Sequence, residues 1–168
     1  MKIFLVGFMG SGKTTIGRHL SEQIGFDFID TDRFIEMQQG KTVSEIFAQQ
    51  GEAVFREMER NILLEIQKND YTVVATGGGM PCHKDNIDIM RSCGKVVYLK
   101  TSPKTLSWRL LRSHKVRPLI NGKTEKELQQ YIVEKLNERE PFYNRAHIVV
   151  PTENFSMEEL LRLLGFRV

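Results

Sequence analysis

The sequence predicts an α/β protein built on a parallel sheet, and three observations carry that prediction. Short apolar runs rich in β-branched residues recur along the chain, helical periodicities separate them, and the first run leads into a glycine-rich loop that opens a helix. Strands alternating with helices imply parallel pairing through right-handed crossovers. In an open sheet of this kind the ligand crevice lies beyond the carboxyl ends of the strands.

Lys2 to Val6 reads as a buried strand. Gly7-Phe8-Met9-Gly10-Ser11-Gly12-Lys13-Thr14 follows and fits the phosphate-loop pattern G-x-x-x-x-G-K-[ST], while from Thr15 onward Ile16, Leu20 and Ile24 mark one helix face. The loop therefore lies at a helix N-terminus, where free N–H groups and the positive dipole end attract a polyphosphate. Gly10, Ser11, Gly12 and Thr15 are candidates to wrap it; Lys13 would reach the β- and γ-phosphates, and the Thr14 hydroxyl would ligate Mg²⁺. A nucleoside triphosphate is the ligand expected.

Phe26 to Asp30 predicts the second strand, and Asp30-Thr31-Asp32 opens a helix that Gly40 stops. A capping box at Thr42 to Glu45 starts another helix ending at Gly51, and Phe55, Met58, Ile62, Leu63 and Ile66 continue a third to Lys68. Thr72 to Thr76 is the third strand and runs straight into Gly77-Gly78-Gly79, a triplet suited to close backbone approach. A helix over Lys84 to Ser92 and a fourth strand over Lys95 to Lys100 come next. Ser102-Pro103 starts a helix carrying Leu106, Trp108, Leu110 and Leu111, which gives way to the basic loop Ser113 to Pro118. A second capping box at Thr124 opens a long helix to Glu140, where Pro141 should disturb it. His147 to Val150 is the fifth strand, and Ser156 caps a last helix that ends near Gly165.

The 168 residues suit a single domain, 1–168, with no repeat or linker to divide it. No apolar run approaches the about eighteen residues of a membrane span, and Met1 is followed at once by Lys2 and the first strand, so no signal peptide, no membrane partner and a cytoplasmic location are expected. Cys82 and Cys93 lack the spacing of a metal site and read as incidental thiols. The net charge of +3 is too small to argue for nucleic acid. Its distribution says more: seven Lys or Arg and no acid lie between Lys100 and Lys123, a stretch expected to face the chain's own nucleotide. With no interface-like apolar stripe, a monomer is the expectation.

The order and spacing of the phosphate loop, Asp30-Thr31-Asp32, Phe55-Arg56, Gly77-Gly78-Gly79, Arg117-Pro118-Leu119 and Arg139 before Pro141-Phe142-Tyr143 resemble bacterial shikimate kinases from about residue 3 to 150. The resemblance implies a three-layer, nucleoside-monophosphate-kinase-like fold with sheet order 2-3-1-4-5. It also implies transfer of the γ-phosphoryl group of MgATP to the 3-hydroxyl of shikimate, in the route to chorismate and the aromatic amino acids. By resemblance, Asp30 holds Mg²⁺ through water beside Thr14, and Asp32 orients the acceptor hydroxyl or acts as its general base. Arg56 and Arg139 pair with the substrate carboxylate, Gly77, Gly78 and Gly79 line its site, and about 31–68 forms the shikimate-binding segment. A lid over about 112–124 carries Arg117, a catalytic cation together with Lys13. Arg109 or Arg112 is expected on adenine, although Thr152 to Phe155 lacks the basic residue common in the adenine loop and Leu110 stands where some members have arginine.

Three rival readings fit less well. Gluconate kinase or a nucleoside monophosphate kinase has no reason to combine the acid pair with the glycine triplet and Arg139. A GTPase would need an Asn-Lys-x-Asp guanine reader, which the sequence lacks. A non-catalytic nucleotide binder would be expected to lose Asp32, Arg56 and Arg139, all of which are present.

Overall fold

A computed structural model describes residues 1–167. In chain order the elements are β1 (Lys2–Val6), α1 (Lys13–Ile24), β2 (Asp27–Asp30), α2 (Thr31–Gln39), α3 (Val43–Ile66), β3 (Thr72–Ala75), a 3₁₀ turn (Met80–Cys82), α4 (Asn86–Cys93), β4 (Lys95–Lys100), α5 (Pro103–Leu111), α6 (Glu125–Tyr143), β5 (Ile148–Pro151) and α7 (Met157–Leu164). All four strand pairings are parallel, in the order β2-β3-β1-β4-β5 that the resemblance implies.

Side-chain alternation along the central strands builds two cores. Phe4 and Val6 of β1, Val74 of β3, and Val96 and Tyr98 of β4 face one layer, where they meet residues of α3, α4, α5 and α6. Ile3 and Leu5, Val73, and Val97 and Leu99 face the other, against α1 and α7. A strand buried on both faces reads as an unbroken apolar run, and β1 is buried at every position. Because every strand points the same way, β1, β2 and β3 deliver the phosphate loop, the acid pair and the glycine triplet to one edge.

Three of the departures from expectation have a local reason. The helix after the triplet starts at Asn86 rather than Lys84, because Lys84 has a left-handed φ of 49° and the Asn86 amide donates to the Met80 carbonyl at 2.8 Å. The glycine triplet continues into the 3₁₀ turn, which periodicity cannot register in three residues. Pro141 does not end α6: the helix runs to Tyr143, with Asn144 N–H donating to the Glu140 carbonyl at 2.8 Å and the Tyr143 hydroxyl donating to the Gly78 carbonyl at 2.6 Å. These bonds hold the last turn in place although proline supplies no N–H of its own. The break expected at Gly51 is present inside α3, where that residue takes φ 83° and ψ 171°.

Gly94 closes α4 in extended conformation, and a Cβ there would meet both the Lys2 carbonyl oxygen and the Phe4 ring at 2.8 Å. Gly94→Ala is therefore expected to lower stability by about 1–3 kcal/mol through overpacking, read as a lower urea midpoint with an unchanged slope.

Candidate active site

The edge where the strands end holds two adjoining cavities. One, of about 580 Å³, runs along the phosphate loop between Thr14, Asp30 and Arg109. The other, of about 460 Å³, is roofed by Val116 to Leu119 and floored by Gly77 to Gly79, with Arg56 and Arg139 in its wall. They share one partition: Met9, Asp32, Gly77, Gly78, Lys115 and Arg117 line both.

In the phosphate-loop cavity, Gly12 takes φ 97° as the N-cap of α1, a left-handed turn that glycine enters without strain. Gly10, Ser11, Gly12, Lys13, Thr14 and Thr15 all line this space. The Lys13 ammonium donates to the carbonyls of Gly7 at 2.8 Å and Phe8 at 2.9 Å, folding the lysine back over its own loop. Burial lowers its pKa to about 8, against the opposing pull of Asp32 and Asp30. The Thr14 hydroxyl donates to Asp30 Oδ2 at 2.7 Å, and Asp30 Oδ1 also accepts from Arg33 N–H to cap α2. The cap and the threonine contact are thus made by different oxygens of one carboxylate.

Asp32 is one helical step further on, with its Oδ1 buried and without a hydrogen-bond partner. Burial raises its pKa, with the Lys115 charge as the main opposing influence. Thr31 between the two acids is fully buried and accepts the Gly77 N–H at 2.9 Å, so α2 is tied to the end of β3.

The second cavity gathers its charges around the glycines. Arg56 donates to Glu59 Oε2 at 2.7 Å and to Glu52 Oε1 at 2.9 Å. Arg139 is buried, with its guanidinium 5.4 Å from the centroid of the Phe8 ring. A Cβ on Gly78 would come within 3.3 Å of Arg139 Nη1 and 3.4 Å of the Met9 N, and one on Gly79 would collide with the Arg56 guanidinium. Phe47 and Phe55 stack at 4.9 Å between centroids, lining the cavity while also belonging to the core.

Glu59 escaped the sequence reading. It is completely buried, its Oε1 has no partner, and a Cβ on Gly77 would collide with that oxygen. Burial lifts its pKa to about 7 in spite of Arg56 beside it. The detectable signal was its place three residues after Arg56, on the same helix face. Lys115, absent from the expected site, lines both cavities.

Of the remaining expected residues, Arg117 donates to Ser113 Oγ at 2.8 Å and lines both cavities. Arg109 donates to the Gly10 carbonyl at 3.1 Å and lines the phosphate-loop cavity. Arg112 does not join them: its guanidinium stacks 4.2 Å from the centroid of exposed Trp108 and lines neither cavity. Arg109 lies in the last turn of α5, whereas Arg112 is the residue that caps its end, and its side chain lies on Trp108. Thr152, Phe155 and Leu110 instead complete the far wall of this cavity.

A phosphate loop, an acid with an unpaired oxygen on the partition, and two guanidinium groups beyond it define a P-loop kinase acting on a small acidic acceptor. The shikimate kinase family model matches residues 9–164. Shikimate kinases of Parabacteroides distasonis and Chlorobaculum tepidum are 44% and 45% identical to this chain, the first covering 94% of this chain and 91% of its own length, the second 95% and 88%. The crystal structure of shikimate kinase from Bacteroides thetaiotaomicron superposes with a TM-score of 0.93 at 38% identity over 99% of both chains. That of Acinetobacter baumannii shikimate kinase in complex with shikimate gives 0.88 at 35% identity, over 98% of this chain and 93% of the other. The chain belongs to the shikimate kinase family, enzymes that transfer phosphate from ATP to shikimate.

Gly79→Ala is expected to displace the Arg56 guanidinium and raise the KM for shikimate at least about tenfold while that for ATP stays within about twofold, as steady-state titration of each substrate would read. For Glu59, whose folded pKa lies above its ordinary 4.5, the proton is held more tightly in the native state. Its stabilising contribution is full below pH 4.5 and is lost as pH rises through about 7. Ionisation in the same window adds negative charge beside Arg56, so the KM for the acidic substrate should rise as pH rises through about 7, and Glu59→Gln should flatten that step.

Proposed function

We propose that the chain phosphorylates the 3-hydroxyl of shikimate with MgATP, with Asp32 as the group that orients and deprotonates that hydroxyl. The observation that carries this reading is the partition: Asp32, with its buried unpartnered Oδ1, lines the phosphate-loop cavity and the acceptor cavity together. A hydroxyl entering from the acceptor side supplies the missing donor, and the raised pKa of Asp32 brings the carboxylate closer to the range of an effective base.

The acceptor carboxylate belongs with Arg56 and Arg139, whose guanidinium groups present paired N–H donors beside Gly78 and Gly79. The segment 31–68 forms the acceptor side, since α2 and α3 supply Asp32, Phe47, Phe55 and Arg56. On the donor side, the Lys13 ammonium exchanges its loop carbonyls for phosphate oxygens, and a negative phosphate raises the charge it carries. Arg109 beside the Gly10 carbonyl, with Phe155 and Leu110, bounds the nucleotide.

Thr14 and Asp30 fit Mg²⁺: a hydroxyl and a carboxylate in contact on the wall of the phosphate-loop cavity are hard oxygen donors. Among the described residues no cluster of three or more His, Cys, Asp or Glu side chains could cage a metal, which suits an ion that takes its other ligands from phosphates and water. When bound, Mg²⁺ neutralises charge on the phosphate chain.

Residues 112–124 act as a lid. They roof the acceptor cavity with Val116 to Leu119 and bring Arg117 to the partition, so closure over both substrates would exclude water and add a cation where the phosphoryl moves. Among the described residues no helix is long and apolar enough to cross a membrane, and the enzyme is taken to work as a cytoplasmic monomer with shikimate and ATP as its small-molecule partners.

ADP release from MgATP, measured in a coupled assay with quinate, gluconate and nucleoside monophosphates tested beside it, should depend on shikimate; no shikimate-dependent rate would end this reading. Asp32→Asn should then reduce kcat by about 10²–10⁴ with a much smaller change in ATP affinity, whereas equal losses in both would mark the carboxylate as a structural cap.

A further inference from the structure

Four cations line the phosphate-loop cavity: Lys13, Arg109, Lys115 and Arg117. Three are committed to the protein itself. Lys13 holds the carbonyls of Gly7 and Phe8, Arg109 holds that of Gly10, and Arg117 holds Ser113 Oγ and, at 3.3 Å, the Lys115 carbonyl. The Lys115 ammonium makes no ion pair or hydrogen bond among the described residues, and its side chain is exposed. Its backbone, by contrast, is fixed in the same device as Arg117, since the Lys115 N–H donates to Ser113 Oγ at 3.3 Å while its carbonyl receives Arg117.

Position sharpens the point. Only two of the six residues on the partition are cations, and they are Lys115 and Arg117. A phosphoryl group moving from the phosphate loop to an acceptor in the second cavity crosses that partition. In a loose transition state its charge spreads over three equatorial oxygens, and a free ammonium on a flexible four-carbon stem can follow it. An ordinary solvated lysine would have no reason to line both cavities.

We propose that Lys115 is a second lid cation that contacts the transferring phosphoryl group, acting beside Arg117 as a catalytic residue of the reaction. This rests on the shikimate kinase reading. The phosphoryl passes from the ATP β–γ bridging oxygen to the acceptor oxygen, the acceptor proton goes to Asp32, and Lys115 keeps its proton throughout while offering N–H donors to the equatorial oxygens.

The experiment compares the wild type with Lys115→Met and Lys115→Arg in shikimate-dependent ADP release, and by calorimetry of ADP with aluminium fluoride in the presence of shikimate. A wild type without shikimate-dependent turnover would overturn the functional reading itself and this proposal with it; with an active wild type, the variants test Lys115 alone. Lys115→Met should lower kcat about 10- to 100-fold with both KM values within about threefold, weaken the fluoroaluminate complex by the same factor, and leave binding of ADP alone unchanged. Lys115→Arg should retain most of kcat. The proposal is overturned if kcat of Lys115→Met is unchanged, if only the KM for ATP rises, or if kcat falls without a parallel loss in fluoroaluminate binding.

Discussion

The acceptor half of the site depends on three consecutive residues without side chains at the end of β3. Gly77 leaves room for the carboxylates of Glu59 and Asp32, Gly78 for Arg139 and the phosphate loop, and Gly79 for the Arg56 guanidinium. A methyl group at Gly77 or Gly79 would enter space that a charged group occupies, and one at Gly78 would press on Arg139 and the phosphate loop. The backbone itself is bound on both sides, through Gly77 N–H to Thr31 and the Gly78 carbonyl to Tyr143, so the triplet acts as a rigid floor rather than a flexible linker. This floor joins α2 and α3 to the distant α6, and the sheet order places it next to the phosphate loop because β3 is hydrogen-bonded to β1.

Packing charge this closely carries an electrostatic cost that falls unevenly. Arg56 is satisfied by two acids, and Asp30 by Thr14 and a helix N-terminus. Asp32 and Glu59 each retain one buried oxygen without a partner, and in both the pKa rises because burial outweighs the neighbouring cations. Buried unsatisfied groups are rare in folded proteins, and two in one crevice identify where the ligand's own donors are expected. The same reasoning applies to Lys13, whose buried ammonium is held by loop carbonyls and loses part of its hold on the proton.

The features legible in the sequence were those with local causes. The phosphate loop announces itself through spacing, β1 through an unbroken apolar run, the capped starts of α3 and α6 through their Thr-x-x-Glu boxes, and the break at Gly51 through a glycine in a helical pattern. Sheet order and the acceptor residues came from resemblance, since nothing in Arg139 between two glutamates distinguishes it from a solvated helix residue. What stayed hidden was set by tertiary contact. Glu59 is an unremarkable helix acid until α3 docks over Gly77, Arg112 looks like Arg109 until Trp108 captures it, and Pro141 looks like a stop until Tyr143 is anchored to Gly78.

Charge on the loop after α5 follows from the same division into two cavities. Lys13 belongs to the phosphate loop, and Arg56 is clamped between Glu52 and Glu59. The basic loop after α5 touches both spaces, with a stretch free of acidic residues. An acid within that stretch would pair with its neighbouring cations on the surface and repel the phosphates. Keeping acids out of the loop while concentrating them on α2 and α3 leaves Asp32 as the counter-charge that Lys115 and Arg117 both feel. On the proposed reading the nucleotide would bring a larger negative charge to the same two cations, and closure would strengthen without a new protein contact.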